Sequence, residues 1–368
     1  MRLLMTSTSY PVSAEDWRGR FIASLAAALA MKDVVSLSLW APSGDLPNGV
    51  VSATTQADRK WLERLSEQGG IAHLLRTKKT RALSSATVLL WRQNRAFQRD
   101  PPDVAHVNWL QNTLALWGTT IPALITVLGS DFALLRVPGM RFALRSVLRQ
   151  RRAILAPNAE WMIDELERSF GDLAEVRPIP FGVDSPWFDV VRQPQLQTPC
   201  QWITVTRLTK NKIGDLFAWG EGLFGDNRRL HLFGPMQEQI EIPSWIDYHG
   251  PTHPAELLRD WFPKARGLIT LSRHDEGRPQ VMMEAMAAGL PVIASDLPAH
   301  RNLITQKVNG WIVPAREALT EALAHLDDDA ANQALGASAR QWTKEHIGTW
   351  EDCSQRYIRA YVDLLETA

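Results

Sequence analysis

The sequence predicts an α/β fold with two parallel sheets, one after the other along the chain. Short apolar runs rich in β-branched residues alternate with helical patterns almost throughout, which is typical of βαβ units around a buried sheet. A segment rich in Pro and Gln interrupts this rhythm, and a second series of the same kind follows it. With 368 residues, the chain is long enough for two domains that each have a core.

The first series predicts an N-terminal domain at residues 1–184. Its apolar runs predict the strands Leu3–Thr8, Val34–Trp40, Val104–Asn108, Ala123–Leu128 and Ala153–Pro157. Its amphipathic patterns predict the helices Arg20–Met31, Leu83–Phe97, Met140–Arg149 and Glu160–Phe170.

The interruption predicts a linker at residues 185–200, because Pro186, Pro194 and Pro199 fall within it. The second series predicts a C-terminal domain at residues 201–345, and the segment 346–368 is helical in pattern. The predicted strands of this domain are Trp202–Thr206, Leu230–Phe233, Gly267–Leu271, Pro291–Ser295 and Trp311–Val313.

Composition excludes several classes of protein. The 40 basic and 40 acidic residues balance, so no overall field draws nucleic acid to the chain, and we expect no nucleic-acid partner. Cys200 and Cys353 have no neighbouring His or Cys at metal-ligand spacing, so we expect neither a metal site nor a disulfide framework. We expect a cytoplasmic protein, since the first residues resemble a strand more than a signal peptide and no run is long and apolar enough to span a bilayer.

The most informative segment places two carboxylates around a predicted junction between a loop and a helix. Glu276-Gly277-Arg278-Pro279 precedes this helix, and Glu284 lies within it. Gly277 permits a tight backbone path, and Pro279 suits the first helical turn, where its missing N–H costs nothing. A helix N-terminus attracts anions such as a diphosphate, and carboxylates accept hydrogen bonds from hydroxyls. The segment therefore predicts a nucleotide-sugar site; the alternative is two Glu residues that share no role.

This arrangement resembles the E-x7-E signature of the retaining glycosyltransferases of family 4, which have the GT-B fold. The resemblance implies two Rossmann-like domains facing a central cleft. It also implies a C-terminal helix, here Trp350–Leu365, that crosses back to the first domain. In that family the first Glu, here Glu276, contacts the transferred sugar, and the second, here Glu284, binds the ribose. Gly277, Arg278 and Pro279 are expected to bind the donor beside them.

Two basic residues follow the first predicted strand of the second domain. Arg207 and Lys212 lie five positions apart, and their charges suit a departing diphosphate. The segment resembles the family's G-R-L-x-x-x-K-G pattern, whose basic residues bind the donor diphosphate. Thr206 replaces the first Gly and Ile213 the last, so we expect a stiffer loop. The alternative is that both cations are simply solvated.

The resemblance is weaker in the first domain. The family's glycine-rich loop corresponds to a segment in which Gly19 precedes a helix; contact with phosphate and a simple turn are both open for Gly19. Leu128 occupies the place of a common His in an H-G-x-D segment, and Leu cannot exchange a proton. Trp109 and Asp131 are the predicted acceptor contacts, although Asp131 could instead cap the next helix.

A stripe of basic residues predicts contact with a membrane surface. Arg141, Arg145, Arg149 and Arg152 recur at helical spacing beside apolar residues, and each would contribute about 1 kcal/mol near an anionic bilayer. Such contact implies a lipid-linked acceptor and peripheral binding to the inner face of the plasma membrane. The alternative is a solvated helix face over an ordinary core.

The predicted protein is therefore a retaining, metal-independent glycosyltransferase whose donor is a nucleotide-sugar co-substrate and which requires no other cofactor. Its acceptor would be a hydroxyl of a glycan or a lipid-linked molecule in bacterial cell-envelope polysaccharide or glycolipid synthesis. The predicted catalytic residues are Glu276, Arg207 and Lys212. Two alternatives stay open: a nucleotide-sugar hydrolase or epimerase on the same scaffold, and a catalytically silent nucleotide-binding scaffold protein.

Overall fold

The structure is a computed structural model that describes residues 1–13, 16–68, 71, 74, 79–129, 132–193 and 199–366. The chain divides into two compact units. The first unit comprises Met1–Phe181 and Trp350–Ala368, and the second comprises Gly182–Thr349. The second unit is therefore an insertion in the chain of the first.

The first unit is built on a parallel sheet. Its strands are β1 (Arg2–Thr6), β2 (Ser36–Trp40), β3 (Val50–Ser52), β4 (Val104–Asn108), β5 (Ala123–Val127), β6 (Ala153–Pro157) and β7 (Glu175–Val176). They lie in the order β3-β2-β1-β4-β5-β6-β7, and each neighbouring pair is parallel. The order reverses between β1 and β4, so the loops that follow these two strands border the crevice where such sheets bind ligands.

The helices of the first unit bury one apolar face each. In α1 (Arg20–Ala30), the buried residues are Ile22, Leu25, Ala26 and Leu29, which is the spacing of a single helical face. The helices are α1 (Arg20–Ala30), α2 (Gln56–Glu67), α3 (Lys79–Arg99), α4 (Phe132–Leu135), α5 (Met140–Leu148) and α6 (Ile163–Phe170), with 3-10 turns at Leu110–Leu116 and Glu160–Met162.

The C-terminal helix, Trp350–Glu366, also belongs to the first unit, where buried hydrogen bonds tie it to the sheet. The Tyr361 hydroxyl lies 2.7 Å from Nδ1 of His106, and Nε2 of that ring lies 2.8 Å from Oγ1 of Thr126. Oγ1 of Thr126 is also 2.9 Å from the Tyr357 hydroxyl. Burial lowers the pKa of His106 to about 3, so the ring is neutral and donates through one nitrogen while accepting through the other.

The second unit repeats the same topology. Its strands are β8 (Cys200–Val205), β9 (Arg228–Phe233), β10 (Ile246–Gly250), β11 (Gly267–Thr270), β12 (Val292–Ser295) and β13 (Trp311–Val313). They lie in the order β10-β9-β8-β11-β12-β13 with parallel pairing, and the order reverses between β8 and β11. The loops after β8 and β11 therefore border the ligand-binding crevice expected for this sheet.

Helices connect these strands. They are α7 (Lys210–Ile213), α8 (Leu216–Gly220), α9 (Pro254–Glu256), α10 (Gln280–Ala287), α11 (Pro298–Arg301), α12 (Arg316–Leu326) and α13 (Asp329–His346), with a 3-10 turn at Ser185–Trp187 and a π-helical turn at Leu257–Trp261. In α10, Met282, Met283, Ala285 and Met286 are buried, so this helix packs into the core and holds its N-terminus in a fixed place.

Two glycines allow loops to touch the ends of neighbouring strands. Gly214 has a φ of 55°, and a Cβ at this position would lie 1.9 Å from the carbonyl oxygen of Leu271. Gly234 has a φ of 132°, and a Cβ there would lie 1.8 Å from the carbonyl oxygen of Thr206. Only glycine combines this backbone conformation with so close an approach. These contacts fix the path of the loops that follow β8 and β11.

The predicted fold class of two parallel α/β sheets is confirmed, and the differences concern its edges. The sequence prediction omitted β3, β7 and β10, which are edge strands. They are partly exposed, so they lack the continuous apolar runs by which buried parallel strands are recognised.

The predicted linker is partly structured within the second unit, which begins at Gly182. Trp187 is buried and packs on Phe262, with ring centroids 4.6 Å apart. Val190 is also buried, and the Arg192 guanidinium donates to the carbonyl oxygen of Gly289 at 3.0 Å. Proline-rich composition indicated a linker but did not show that its aromatic and apolar side chains pack. Residues 194–198 lie outside the described residues.

The close approach at Gly214 leads to a test of stability. Gly214→Ala introduces a side chain where φ is positive and a backbone carbonyl leaves no space, so we expect the free energy of unfolding to fall by more than about 2 kcal/mol. Gly225→Ala is the matched control, because a Cβ there meets nothing within 4 Å. Urea unfolding followed by tryptophan fluorescence measures both. Equal stability of the two variants would contradict the described packing of the loop.

Candidate functional site

The candidate site lies at the strand reversal of the second unit, in the loops that follow β8 and β11. Arg207 comes two residues after β8, and Lys212 lies in the short helix α7. Thr209 caps this helix, since its Oγ1 accepts a hydrogen bond from the Lys212 backbone N–H at 3.2 Å. The cap sets where the helix begins and therefore where the Lys212 side chain starts.

The loop after β11 is tied to the segment that carries Lys212. The carbonyl oxygen of Asn211 accepts a hydrogen bond from the Arg273 backbone N–H at 2.8 Å. The Arg273 guanidinium also forms an ion pair with Asp215, with Nε 2.9 Å from Oδ2. Together with the contact between Gly214 and Leu271, these bonds hold the two loops side by side.

An ion pair joins the two loops at the centre of the candidate site. Nζ of Lys212 donates to Oε1 of Glu276, and the two side chains are 13% and 18% exposed. Burial lowers the pKa of Lys212, and the Glu276 carboxylate opposes that shift. Burial likewise lowers the pKa of Arg207, again opposed by Glu276. The site therefore holds two partly desolvated cations and one carboxylate, a charge set suited to an anionic ligand that also carries hydroxyls.

The predicted junction between loop and helix is present, with a shift of one position. Pro279 is the N-cap of α10, and the helix begins at Gln280, whereas the sequence prediction placed Pro279 in the first turn. Proline's fixed φ is compatible with either place, so the sequence could not distinguish them. Gly277 lies in the loop, and the buried Arg278 donates to Oδ1 of Asn302 at 2.9 Å. Arg278 thereby connects this loop to the segment after α11.

Glu284 lies in the second turn of α10 and is partly exposed. The neighbouring positions on both sides along the helix, Met283 and Ala285, are fully buried, so the Glu284 side chain is on the outer part of an otherwise packed helix. Gly289 has a φ of 73° just after α10 and ends it, as the sequence predicted.

In the first unit, Gly19, a predicted phosphate contact, and Trp109, a predicted acceptor contact, follow the two strands at the reversal, β1 and β4. Gly19 is the N-cap of α1 with a φ of 66°, and a Cβ there would lie 2.5 Å from the carbonyl carbon of Ser9. Trp109 directly follows β4 and has a φ of 68°, a strained conformation for a residue with a side chain. Its ring meets that of Phe21 edge to face, with centroids 6.1 Å apart.

Three other residues of the first domain are Asp131, Leu128 and His106. Asp131 lies outside the described residues, so its predicted role stays a prediction. Leu128 directly follows β5 and is partly buried. His106 is fully buried among the hydrogen bonds that hold the C-terminal helix.

The basic stripe is largely engaged within the first unit. Arg141 pairs with Glu165, and Arg145 pairs with Asp172. Arg152 donates to the carbonyl oxygens of Leu364 and Asp363 at 2.6 and 2.8 Å, near the end of the C-terminal helix. Arg149 is exposed, as is Phe142 at 73%. The pairing lowers the net positive charge that this face presents compared with the charge the sequence predicted.

Two absences concern only the residues that the structure describes. Among those residues, no three or more His, Cys, Asp or Glu side chains are placed to hold a metal ion. None of the helices described there combines the length and the apolarity that crossing a bilayer requires.

Sequence reasoning missed residues that shape the site without touching a ligand. Gly214 and Gly234 allow the close approaches described above, and Asp215 and Ser272 hold the Glu276 loop. Gly214 directly follows Lys212-Ile213, and Gly234 directly follows a strand. These positions were the available signals in the sequence that the two glycines shape the site. The expected stiffening by Ile213 overlooked the glycine one position later.

Comparison with known proteins also indicates a glycosyltransferase. The family model for Glycosyl transferases group 1 matches residues 217–329. D-inositol 3-phosphate glycosyltransferase from Xylanimonas cellulosilytica is 26% identical over 129 residues, which cover 34% of this chain and 30% of that protein. Sucrose-phosphate synthase from Thermosynechococcus elongatus has a TM-score of 0.72 at 16% identity, with both chains covered completely. HepE from Anabaena, solved in complex with UDP-glucose, has a TM-score of 0.65 at 13% identity and covers 99% of this chain and 100% of its own.

The alignments span between 13% and 38% of the length of the curated relatives that this chain matches. The family match confirms the glycosyltransferase resemblance predicted from the motifs, and the solved structures confirm the fold. Residues 217–329 thus match the family model for Glycosyl transferases group 1, in a chain that has the GT-B fold.

Proposed function

We propose that the protein is a retaining, metal-independent glycosyltransferase that moves a sugar from a nucleotide-sugar donor to a hydroxyl of a glycan or lipid-linked acceptor. The process it would serve is the synthesis of bacterial cell-envelope polysaccharide or glycolipid. The observation that carries the proposal is the ion pair of Lys212 with Glu276, because it brings together the two donor motifs predicted from separate parts of the sequence. The UDP-glucose in the HepE structure supports the same class of donor.

In the proposed donor-binding step, both members of this ion pair change partners. A diphosphate entering at the N-terminus of α10 attracts Lys212 and Arg207, since its charge exceeds that of one carboxylate. Glu276 then accepts hydrogen bonds from hydroxyls of the sugar, and Glu284 accepts them from the ribose. Gly277, Arg278 and Pro279 line the donor beside Glu276, and contact of Gly19 with phosphate stays a prediction.

The proposed reaction breaks the bond between the sugar's anomeric carbon and the oxygen of the β-phosphate. The bonding electrons remain on that phosphate oxygen, where Arg207 and Lys212 stabilise the new charge as a metal ion would. The acceptor hydroxyl forms the new bond from the face that the phosphate leaves, so the anomeric configuration is retained. Its proton passes to a phosphate oxygen, which completes the nucleoside diphosphate product.

A donor panel tests this function. Thermal shifts with UDP, GDP and ADP, and then with UDP-glucose, GDP-mannose and ADP-glucose, identify the preferred nucleotide because stabilisation grows with occupancy. The selected donor is then incubated with a cell-envelope extract, in the presence and absence of EDTA. We expect a glycosylated product of unchanged anomeric configuration, with EDTA having no effect. Free sugar or an epimer formed equally without acceptor indicates the hydrolase or epimerase, and binding without any turnover indicates the scaffold protein.

The two carboxylates have separable roles in this scheme. Glu276→Gln should lower the turnover number by at least about 100-fold, because it removes charge next to the transferred sugar. It should leave nucleoside diphosphate affinity unchanged or tighter, since Lys212 then has no carboxylate partner. Glu284→Ala should weaken that affinity about tenfold through lost hydrogen bonds to a charged group.

Steady-state kinetics and calorimetry measure these effects. Asp275→Asn is the matched control, because Asp275 is an exposed carboxylate in the same loop. Small and equal effects of the Glu276 and Glu284 variants on both quantities would contradict the assigned roles.

Trp109 is the proposed acceptor contact in the first unit, together with Asp131. A strained aromatic residue at the carboxyl edge of a parallel sheet fits a stacking surface for a sugar ring. Trp109→Gly removes the ring without disturbing the backbone, because glycine adopts a φ of 68° without strain. We expect this variant to fold and to bind donor normally while transfer to the extract falls at least about tenfold, and Trp109→Phe to keep most transfer. Wild-type transfer by Trp109→Gly would exclude the ring from acceptor binding.

Binding to an anionic membrane through Arg141, Arg145, Arg149 and Arg152 stays a prediction, as does the cytoplasmic location. The exposed Arg149 and Phe142 support membrane binding, since one is cationic and the other apolar. The pairs made by Arg141 and Arg145 oppose it, because each removes a charge from the surface. A lipid-linked acceptor is the substrate that such binding would serve.

A further inference from the structure

The short helix α11 lies beside the Glu276 loop and is bonded to it on both sides. Before the helix, Oγ of Ser295 donates to the carbonyl oxygen of Ser272 at 2.5 Å. After the helix, Oδ1 of Asn302 accepts from Arg278 at 2.9 Å. His300 lies in α11 between these two links and is completely buried. The His300 ring is therefore placed behind the loop that carries Glu276.

The hydrogen bonds of the His300 ring define its protonation. Nδ1 lies 2.8 Å from the carbonyl oxygen of Ser295 and 3.3 Å from its Oγ, and both atoms can accept. Burial lowers the pKa of His300, so the ring is neutral and its single proton is on Nδ1. Nε2 is buried, and it has no hydrogen-bond partner among the described residues.

This arrangement is costly for a residue whose role is only to fill space. A buried acceptor without a partner costs about 1–3 kcal/mol, which a leucine of similar size would avoid. The Ser295 carbonyl oxygen does not depend on His300, because it also accepts from the Leu297 backbone N–H at 2.9 Å. Stability alone therefore does not explain an imidazole at position 300.

The bonds from His300 continue to the candidate site. Because the Nδ1–H of His300 faces Ser295, the Ser295 hydroxyl must direct its own hydrogen elsewhere, and it donates to the carbonyl oxygen of Ser272. Oγ of Ser272 in turn accepts from the His274 backbone N–H at 3.0 Å, two residues before Glu276. The charges of Glu276, Lys212 and Asp296 all act on the His300 ring, which is consistent with its place behind the ion pair.

We propose that His300 is a positioning residue: by orienting the Ser295 hydroxyl, it fixes the Ser272–His274 segment and so holds Glu276 where it meets the donor sugar. The inference rests on the proposed function and adds to it a residue outside the predicted donor motifs. His300 acts through Ser295 and Ser272 and not by contact with the substrate. It therefore affects recognition of the sugar while leaving recognition of the nucleotide intact.

Three substitutions of His300 separate its atoms. His300→Leu removes both nitrogens, His300→Asn keeps a donor at the place of Nδ1, and His300→Gln keeps a polar atom near the place of Nε2. Calorimetry measures the dissociation constants of the preferred nucleoside diphosphate and of its sugar, chosen from UDP and UDP-glucose, GDP and GDP-mannose, or ADP and ADP-glucose. Thermal unfolding of each variant is measured in parallel.

For His300→Leu we expect an unchanged or higher unfolding temperature and an unchanged nucleoside diphosphate affinity. The dissociation constant for the nucleotide sugar should rise about fivefold, the equivalent of one hydrogen bond. His300→Asn should restore the wild-type value. Ser295→Ala should raise the dissociation constant for the nucleotide sugar as much as His300→Leu does. The double variant should raise this constant no further than either single variant, because both substitutions interrupt one chain of bonds.

Other results overturn the proposal. The ring has a packing role only if His300→Leu binds the nucleotide sugar as tightly as the wild type does. The same conclusion follows if this variant loses both nucleoside diphosphate affinity and thermal stability. If His300→Gln retains sugar binding and His300→Asn does not, Nε2 is the functional atom and the relay through Ser295 is wrong. If the wild type binds none of the six nucleotides, the proposed function itself fails and this inference fails with it.

Discussion

The candidate site depends on one backbone contact, where the turn at Gly214 touches the end of β11 at Leu271. This contact brings the segment after β8 against the segment after β11. Hydrogen bonds from the second segment to Asn211 then hold the two in register. Lys212 and Glu276 come from positions far apart in the sequence, and they form an ion pair because their backbones are already neighbours. The charges of the site are thus arranged by packing and not by their mutual attraction.

Both units follow the same rule of topology. In each sheet the strand order reverses once, between β1 and β4 in the first unit and between β8 and β11 in the second. Parallel strands end at a common edge, so the loops after these pairs diverge and leave a crevice. The residues singled out for chemistry follow these four strands: Gly19 and Trp109 in the first unit, and the Lys212 and Glu276 loops in the second. The fold therefore accounts for the positions of the candidate residues, and their side chains determine which ligands these positions suit.

The sequence predicted the buried strands well because a strand covered on both faces must be apolar throughout. It did not predict the partly exposed edge strands β3, β7 and β10, since their exposure removes that pattern. Arg207, Lys212 and Glu276 could be proposed from the sequence because their spacing after predicted strands resembles the donor motifs of a glycosyltransferase family. Gly214 and His300 were not, because their importance depends on which distant backbone segments touch. Such contacts are properties of tertiary structure and leave little local signal.

The way the second unit is inserted into the first has a consequence for synthesis on the ribosome. Val183 and Thr349, near the two ends of the second unit, form a parallel bridge, so this unit has all of its residues before the C-terminal helix is made. The first unit, although it starts earlier, waits for Tyr357 and Tyr361 to cover His106 and Thr126. Because domains fold as they emerge, we expect the later unit of the nascent chain to reach its native state first. The earlier unit acquires its full core only once the C-terminal helix has been made.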